Sequence, residues 1–239
     1  MASADGFIEA ALRYCGDIEP SLGTPWDKSQ RIAQALTWAE DDGLPCDIGL
    51  QRVSMGRVYT ILAWQPHGAP HGTGGWTTDA ATGGAMPSLS IAAGRPVTPQ
   101  EQALLHCTCA VEYLRRSNHR NYLPRGLLTR VALYRLQNQL DLAHDDLQEA
   151  LDIAQSSAMD FYQADAYLEQ AALHLAMSRL APHQDHVYQA TASIEAAKQL
   201  IHRMGYYRRH RQVTELETML QEAAAHSGAG AVTEHHPAI

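Results

Sequence analysis

The chain is poor in the residues that mark β-sheets and disulfide frameworks. Of its 239 residues only two are Phe, and alternating runs of Val, Ile and Thr are almost absent, although such residues are enriched in strands. Four cysteines are too few for a disulfide framework in a chain of this length. The thiols are therefore expected to be reduced and the protein to be cytoplasmic.

The sequence also lacks a membrane signal and an excess of positive charge. No run of about 18 apolar residues occurs, which is the length that crosses a bilayer. The opening residues, MASADGFIEA, show no basic start followed by an apolar stretch, so no secretory signal is expected. The net charge is −8, whereas nucleic-acid binding uses Lys and Arg to neutralise phosphates. We therefore expect no membrane partner and no direct nucleic-acid partner.

Motifs for common chemistries are missing as well. The chain has no G-x-x-x-x-G-K-[ST] phosphate loop, no G-x-S-x-G nucleophile turn and no H-E-x-x-H zinc motif. Asp145, Asp146 and Glu149 resemble paired catalytic acids, but they alternate with apolar helix positions and are predicted to face water. The sequence predicts a protein that is not an enzyme and holds no cofactor.

The chain is rich in helix-forming residues and contains an internal repeat. Ala, Leu, Gln and Glu dominate after the opening residues, and these side chains lose little freedom in a helix. Small or apolar residues recur at one spacing that forms a single helix face and lets a neighbouring helix approach closely. The three sets are Ala103, Cys107 and Ala110; Ala143, Leu147 and Ala150; and Ala190, Ile194 and Ala197. Their starting points lie 40 and then 47 residues apart (103 to 143 to 190).

Each repeated segment has a further predicted helix beside it. These helices cover residues 27–40, 47–64, 123–137, 160–176 and 206–223. Pro124 fits a first helical turn, and Asp160 is a plausible N-cap. Short polar turns such as QNQLD (137–141) make consecutive helices antiparallel. The sequence therefore predicts an all-α fold of antiparallel helical hairpins stacked as a solenoid.

The stretch from Leu127 to Gln155 resembles a tetratricopeptide repeat. Its packing positions are Leu127, Tyr134, Leu140, Ala143, Leu147 and Ala150, and Gly56 with Tyr59 matches the small-then-aromatic pair of an earlier unit. The amino-acid sequence of the repeats is similar to that of the C-terminal sensor of bacterial STAND-type and maltose-regulator-like signalling proteins. This resemblance covers about residues 28–64 and 99–222. Val131, Gln155 and Lys198 depart from the family pattern.

The resemblance implies a function in partner binding. In this family the first helix of each hairpin lines a concave groove that holds a partner protein or peptide. With Val131 and Ala171 taken as equivalent, the exposed groove positions would be Arg125, Leu128, Ala132, Arg135, Asp165, Leu168, Ala172 and Leu175. The expected function is non-catalytic partner binding in bacterial signalling or regulation. The alternatives are a ligand-sensing module that works with an NTPase or a transcription regulator, and a metal-dependent enzyme.

A stretch rich in Gly, Pro and Thr, residues 65–98, separates two predicted helices. It has no Lys or Arg before Arg95, although phosphate loops usually carry a Lys. His67 and His71 would need further ligands to hold a metal. A flexible insertion is predicted instead. The expected organisation is one repeat domain, residues 1–224, interrupted by this insertion and followed by a disordered tail, residues 225–239.

His106, Cys107, Thr108 and Cys109 form a compact candidate metal cluster. A C-x-C pair on a helix cannot point both sulfurs the same way, and Cys107 already occupies a packing position of the repeat. Because Cys often behaves as a small apolar residue, we predict that no metal binds here.

The segment HRMGYYRRHR, residues 202–211, is the only dense basic and aromatic cluster. Arg208, Arg209 and Arg211 could contact an acidic partner or a phosphate. The favoured interpretation is a helix that stops at Gly205, followed by arginines that face solvent.

Overall fold

The computed structural model describes residues 25–64, 97–181 and 184–230, and the regular elements in these ranges are all helical. The predicted all-α class is therefore confirmed for this part of the chain. Its α-helices are α1 (Pro25–Asp42), α2 (Pro45–Trp64), α3 (Pro99–Arg116), α4 (Leu123–Leu136), α5 (Leu140–Ser156), α6 (Asp160–Leu180), α7 (Gln184–Met204) and α8 (His210–Gly230). Short 3₁₀ helices, Arg120–Tyr122 and Tyr207–Arg209, precede α4 and α8.

The chain divides into two compact units, and the division falls inside α4. The N-terminal unit contains the described residues up to Leu133, and the C-terminal unit contains those from Tyr134 onward. The predicted insertion, apart from residues 97–98, lies outside the described residues, together with His67 and His71. Residues 231–239 of the predicted tail also lie outside them, while α8 continues to Gly230.

The three repeated sets of small and apolar residues form buried faces of α3, α5 and α7. All nine of these side chains are at most 2% exposed. Ala dominates the sets because a methyl group lets the backbone of a neighbouring helix come close. The prediction that this spacing marks packing faces is confirmed.

In the N-terminal unit, α2 and α3 are antiparallel and approach each other closely. Gly49 faces Leu114, and Gly56, about two helical turns later, faces Cys107. A Cβ atom added to Gly56 would lie 2.5 Å from the Cys107 Sγ and 3.4 Å from the Cys107 backbone nitrogen. The glycine is therefore required by this close approach, which leaves no space for a side chain.

Gly56→Ala is expected to lower the free energy of unfolding by about 1–3 kcal/mol, because the added methyl group overpacks the contact with Cys107. The intrinsic helix preference of Ala, roughly 1 kcal/mol, offsets only part of this loss. In a urea-denaturation double-mutant cycle, Cys107→Ala should recover much of it by removing the Sγ. Purely additive effects of the two substitutions would contradict the packing.

In the C-terminal unit, α6 packs against α5, α7 and α8. Its central core comes from α6, α7, α8 and the turn that precedes α8. The buried members are Ala164, Leu168, Ala171, Ala172, Leu175, Ala190, Ile194, Ala197, Leu200, Ile201, Tyr206, Val213 and Leu216. Because three helices cover α6, little of its surface is left free.

Three turns between helices share one hydrogen-bond pattern. The backbone N–H groups of Gln139, Met159 and Tyr206 donate to the carbonyl five residues earlier, at 2.8, 2.8 and 2.9 Å. The preceding residues, Asn138, Ala158 and Gly205, have φ of 58°, 50° and 67°. This is the Schellman geometry that ends a helix and reverses the chain. The predictions of a short turn at 137–141 and of a helix stop at Gly205 are confirmed.

Asp160, predicted to be the N-cap of α6, is the first residue of that helix, and Met159 occupies the cap. The Schellman turn sets this boundary, since it fixes the backbone of Ala158 and Met159 before the helix begins. The Asp160 carboxylate instead accepts a hydrogen bond from the Arg203 guanidinium at 2.7 Å.

Ala158→Gly is expected to raise the free energy of unfolding by about 0.5–1 kcal/mol. An L side chain is disfavoured at positive φ by roughly 1–2 kcal/mol, and the greater freedom of glycine in the unfolded chain offsets part of the gain. Thermal unfolding would measure the change. Gly205→Ala, the opposite substitution in an equivalent turn, should be destabilising. A destabilised Ala158→Gly variant would contradict this account of the turn.

Candidate functional site

The groove positions implied by the resemblance do not form an exposed surface. Seven of the eight are at most 7% exposed, namely Leu128, Ala132, Arg135, Asp165, Leu168, Ala172 and Leu175. Arg125 is half-buried. The expected exposure is therefore wrong for these seven residues. The reason in α6 is that its neighbours α7 and α8 bury Leu168, Ala172 and Leu175 in a shared core.

The two charged members of the buried set have internal ion partners. The Arg135 Nη2 donates to Glu169 Oε2 at 3.0 Å, and both side chains are at most 2% exposed. The Arg209 Nε and Nη2 donate to the two carboxylate oxygens of Asp165 at 2.7 and 2.9 Å. These charges therefore hold helices of the C-terminal unit together.

Aromatic and basic side chains gather where the start of α6 meets the turn between α7 and α8. The Phe161 ring meets the Tyr206 ring edge-on, with centroids 5.0 Å apart. Phe161 is 55% exposed and Tyr207 is 57% exposed. The Tyr207 ring in turn meets the His210 ring edge-on, at 5.0 Å. We call Phe161, Arg203 and residues 206–211 the arginine corner.

Arg209 anchors this corner from the inside. Besides its bidentate pair with Asp165, its Nη1 donates to the Gln212 Oε1 at 3.3 Å, and its guanidinium lies 5.6 Å from the Tyr206 ring centroid. The prediction that the arginines of this segment face solvent is wrong for Arg209, which is 5% exposed. The cause is Asp165 on α6, whose carboxylate receives the guanidinium within the C-terminal unit.

Arg208 and Arg211 remain at the surface, as predicted. The Arg208 Nη2 donates to the Tyr206 hydroxyl at 2.7 Å, and its guanidinium lies 4.9 Å from the centroid of the same ring. Arg211 donates to the Glu215 carboxylate at 3.3 Å, one turn along α8. The corner therefore offers positive charge and aromatic surface together, a combination suited to a carboxylate-bearing ligand.

The candidate metal cluster of His106, Cys107 and Cys109 lies in the interior of the N-terminal unit. The His106 ring stacks on the Tyr59 ring with centroids 5.5 Å apart and planes 6° apart. Burial raises the pKa of the Cys109 thiol, and the nearby Arg52 acts in the opposite direction. In the ranges that the structure describes, no group of three or more His, Cys, Asp or Glu side chains could hold a metal ion. In this structure His106 is a packing residue.

His106 is expected to make stability depend on pH. Burial, with a further effect from Arg52, lowers its pKa from 6.5 to about 3, so below pH 6.5 the unfolded state takes up a proton that the folded state does not. The contribution of His106 to the free energy of unfolding is therefore fully present above pH 6.5. It falls by about 1.4 kcal/mol per pH unit towards pH 3, so about 2 kcal/mol is lost by pH 5.

Urea denaturation of His106→Phe at pH 7.5 and at pH 5 would measure this contribution. The phenyl ring can keep the stack on Tyr59 and cannot titrate, so the variant should lose about 2 kcal/mol less than the wild type between these pH values. His119→Phe, at an exposed position of the same unit, is the control and should behave as the wild type. Equal losses in all three proteins would contradict the prediction.

The acidic residues of α5 differ in their exposure. Asp145 is exposed and Glu149 is half-buried, whereas Asp146 is buried. The prediction that Asp146 faces water is wrong, because Asp146 lies one turn from both Ala143 and Ala150 and shares their buried face. The three carboxylates therefore lie in different environments, and only Asp145 is exposed.

Comparisons with known proteins leave the family of this chain open. No protein-family model, curated protein or solved structure matches it. Within the described ranges, no helix combines the length and the apolar character needed to cross a membrane.

Proposed function

We propose that this chain is a non-catalytic module that binds a partner protein or peptide in the cytoplasm, in bacterial signalling or regulation. The observation that carries the proposal is the arginine corner, where the exposed Phe161 and Tyr207 accompany the surface cation Arg208. The same proposal includes a tetratricopeptide-like solenoid as the arrangement of the helical hairpins.

Three features support the solenoid arrangement. The repeated small residues of α3, α5 and α7 are buried in each case. The turns after α4, α5 and α7 share the Schellman pattern. In the C-terminal unit α6 contacts α8 as well as α7, as expected when the first helix of one hairpin packs against the first helix of the next.

The composition of the arginine corner supports partner binding. Aromatic residues and Arg are enriched in protein interfaces and supply most of the binding free energy at hot spots. Exposed Phe161 and Tyr207 would bury apolar area on contact. The Arg209–Asp165 pair already fixes the turn that carries Tyr207 and Arg208, so binding would require little ordering of the backbone.

The proposal is tested by retaining proteins from a lysate of the source organism on the immobilised full chain. We expect at least one protein to be retained by the wild type and lost with the double variant Phe161→Ser/Tyr207→Ser. Trp38→Ser is the matched control, because it removes an exposed aromatic side chain from α1 in the other unit. If the double variant retains the same proteins as the wild type, the arginine corner is not the partner site.

A further inference from the structure

Local charge at the arginine corner opposes the charge of the whole chain. The segment that carries most of the corner, residues 202–211, contains four arginines, two histidines and no carboxylate, while the chain carries a net charge of −8. Two of these arginines are paired with carboxylates of α6, since Arg209 binds Asp165 and Arg203 binds Asp160. Positive charge that could meet a partner is therefore concentrated at Arg208 and, beside Glu215, at Arg211.

Arg208 is held by neutral groups. Its guanidinium contacts the hydroxyl and the ring of Tyr206, and no carboxylate of the described residues pairs with it. A guanidinium has five N–H donors in a planar fork, and the Tyr206 hydroxyl accepts only one of them. The side chain thus keeps its charge and most of its donors, in an orientation that Tyr206 fixes. Such a group binds carboxylates through paired hydrogen bonds.

The rings of Phe161 and Tyr207 add an apolar requirement to this charge. Both are more than half exposed. The Phe161 ring contacts the Tyr206 ring, which also contacts Arg208, and Tyr207 directly precedes Arg208 in the chain. An acidic segment without an apolar side chain would leave these rings in water. One that carries an aromatic residue would bury them and would stack at little entropy cost.

We infer that the arginine corner binds an acidic peptide segment of the partner in which Glu or Asp residues flank an aromatic side chain. The inference rests on the proposed function and specifies the chemistry of the partner. The net negative charge of the rest of the chain contributes to specificity, because it disfavours the same segment at other surfaces.

Fluorescence anisotropy with a labelled synthetic peptide tests the inference directly. The probe is a run of glutamates with a central Phe, and the full chain is titrated into it. Two matched peptides replace either all glutamates by Gln or the Phe by Ser. We expect measurable binding of the first peptide, at least about tenfold weaker binding of the Gln peptide and several-fold weaker binding of the Ser peptide. Binding should also weaken with added salt.

Arg208→Glu should weaken binding of the Glu–Phe peptide by about tenfold or more, since it replaces an attractive cation with a like charge. Arg116→Glu makes the same charge change at an exposed position of the N-terminal unit and should change the affinity by less than about twofold. Circular dichroism checks that both variants stay helical. Equal weakening by the two substitutions, or binding of the Gln peptide as tight as that of the Glu peptide, would overturn the inference.

The peptide and lysate experiments together distinguish a failure of the acidic chemistry from a failure of the proposed function. If a lysate protein is lost with Phe161→Ser/Tyr207→Ser while the Glu–Phe peptide does not bind, the proposed function stands and the acidic chemistry is wrong. If the double variant retains the same lysate proteins as the wild type and the peptide does not bind, both proposals are wrong.

Discussion

Replacing Arg135 by Met is expected to lower the free energy of unfolding by about 3–5 kcal/mol, because it leaves the Glu169 carboxylate buried without its cation. Glu169 is fully buried, and its one hydrogen bond to Arg135 is 3.0 Å long. The other Glu169 oxygen has no hydrogen-bond partner in the described part of the chain. Urea denaturation followed by circular dichroism would measure the loss.

The double variant Arg135→Met/Glu169→Leu should recover much of this loss, since apolar side chains of similar size can replace a buried pair without a stability penalty. Arg203→Met is the control, because it breaks the exposed pair with Asp160 and should lower stability by less than about 1 kcal/mol. If Arg135→Met and Arg203→Met had the same small effect, Glu169 would not depend on Arg135.

Arg209→Met is the second substitution with a large expected effect, again about 3–5 kcal/mol. It removes both hydrogen bonds to the Asp165 carboxylate and the contact with Tyr206. Arg209→Lys should recover only part of the loss, because an ammonium group cannot form the paired hydrogen bonds of a guanidinium. Urea denaturation of both variants would measure the difference.

The neighbouring Arg208 is the control for this substitution. Arg208→Met removes a cation from the same turn, but its side chain is exposed, so we expect a stability loss below about 1 kcal/mol. Arg209→Met should therefore affect stability, whereas Arg208 variants should affect binding with little change in stability. Full recovery by Arg209→Lys would contradict a requirement for the bidentate pair with Asp165.

The buried helix faces could be predicted from the sequence because they depend on local spacing. Ala143, Leu147 and Ala150 lie on one face of any helix that contains them, whatever covers that face. The resemblance likewise places Gly56 at a packing position for a small residue, and this glycine meets Cys107 closely. Each of these patterns lies within a single segment of the chain, so it can be identified without knowledge of the rest of the fold.

The exposure of the groove positions could not be predicted in the same way. Leu168 and Leu175 occupy the expected face of α6, but α7 and α8 cover that face. Whether a face is open depends on the packing of helices distant in the sequence. The partner-binding residues that the resemblance implies therefore depend on contacts that no single segment of the chain encodes.

The role of Arg209 shows the same limit. Its neighbours in sequence are basic or aromatic, which favours a solvent-facing segment, whereas its partner Asp165 is 44 residues away. No local pattern connects the two. By contrast, the start of α3 is marked locally, because Thr98 and Glu101 form a capping box with hydrogen bonds in both directions.

Nuclear magnetic resonance of the isotope-labelled full chain, titrated with the Glu–Phe peptide, tests the binding site most directly. We expect the largest changes in chemical shift at Phe161 and at residues 206–211, with the signals of α1 and α2 unchanged. Largest changes around Trp38, or small changes spread evenly over both units, would contradict the assignment of partner binding to the arginine corner.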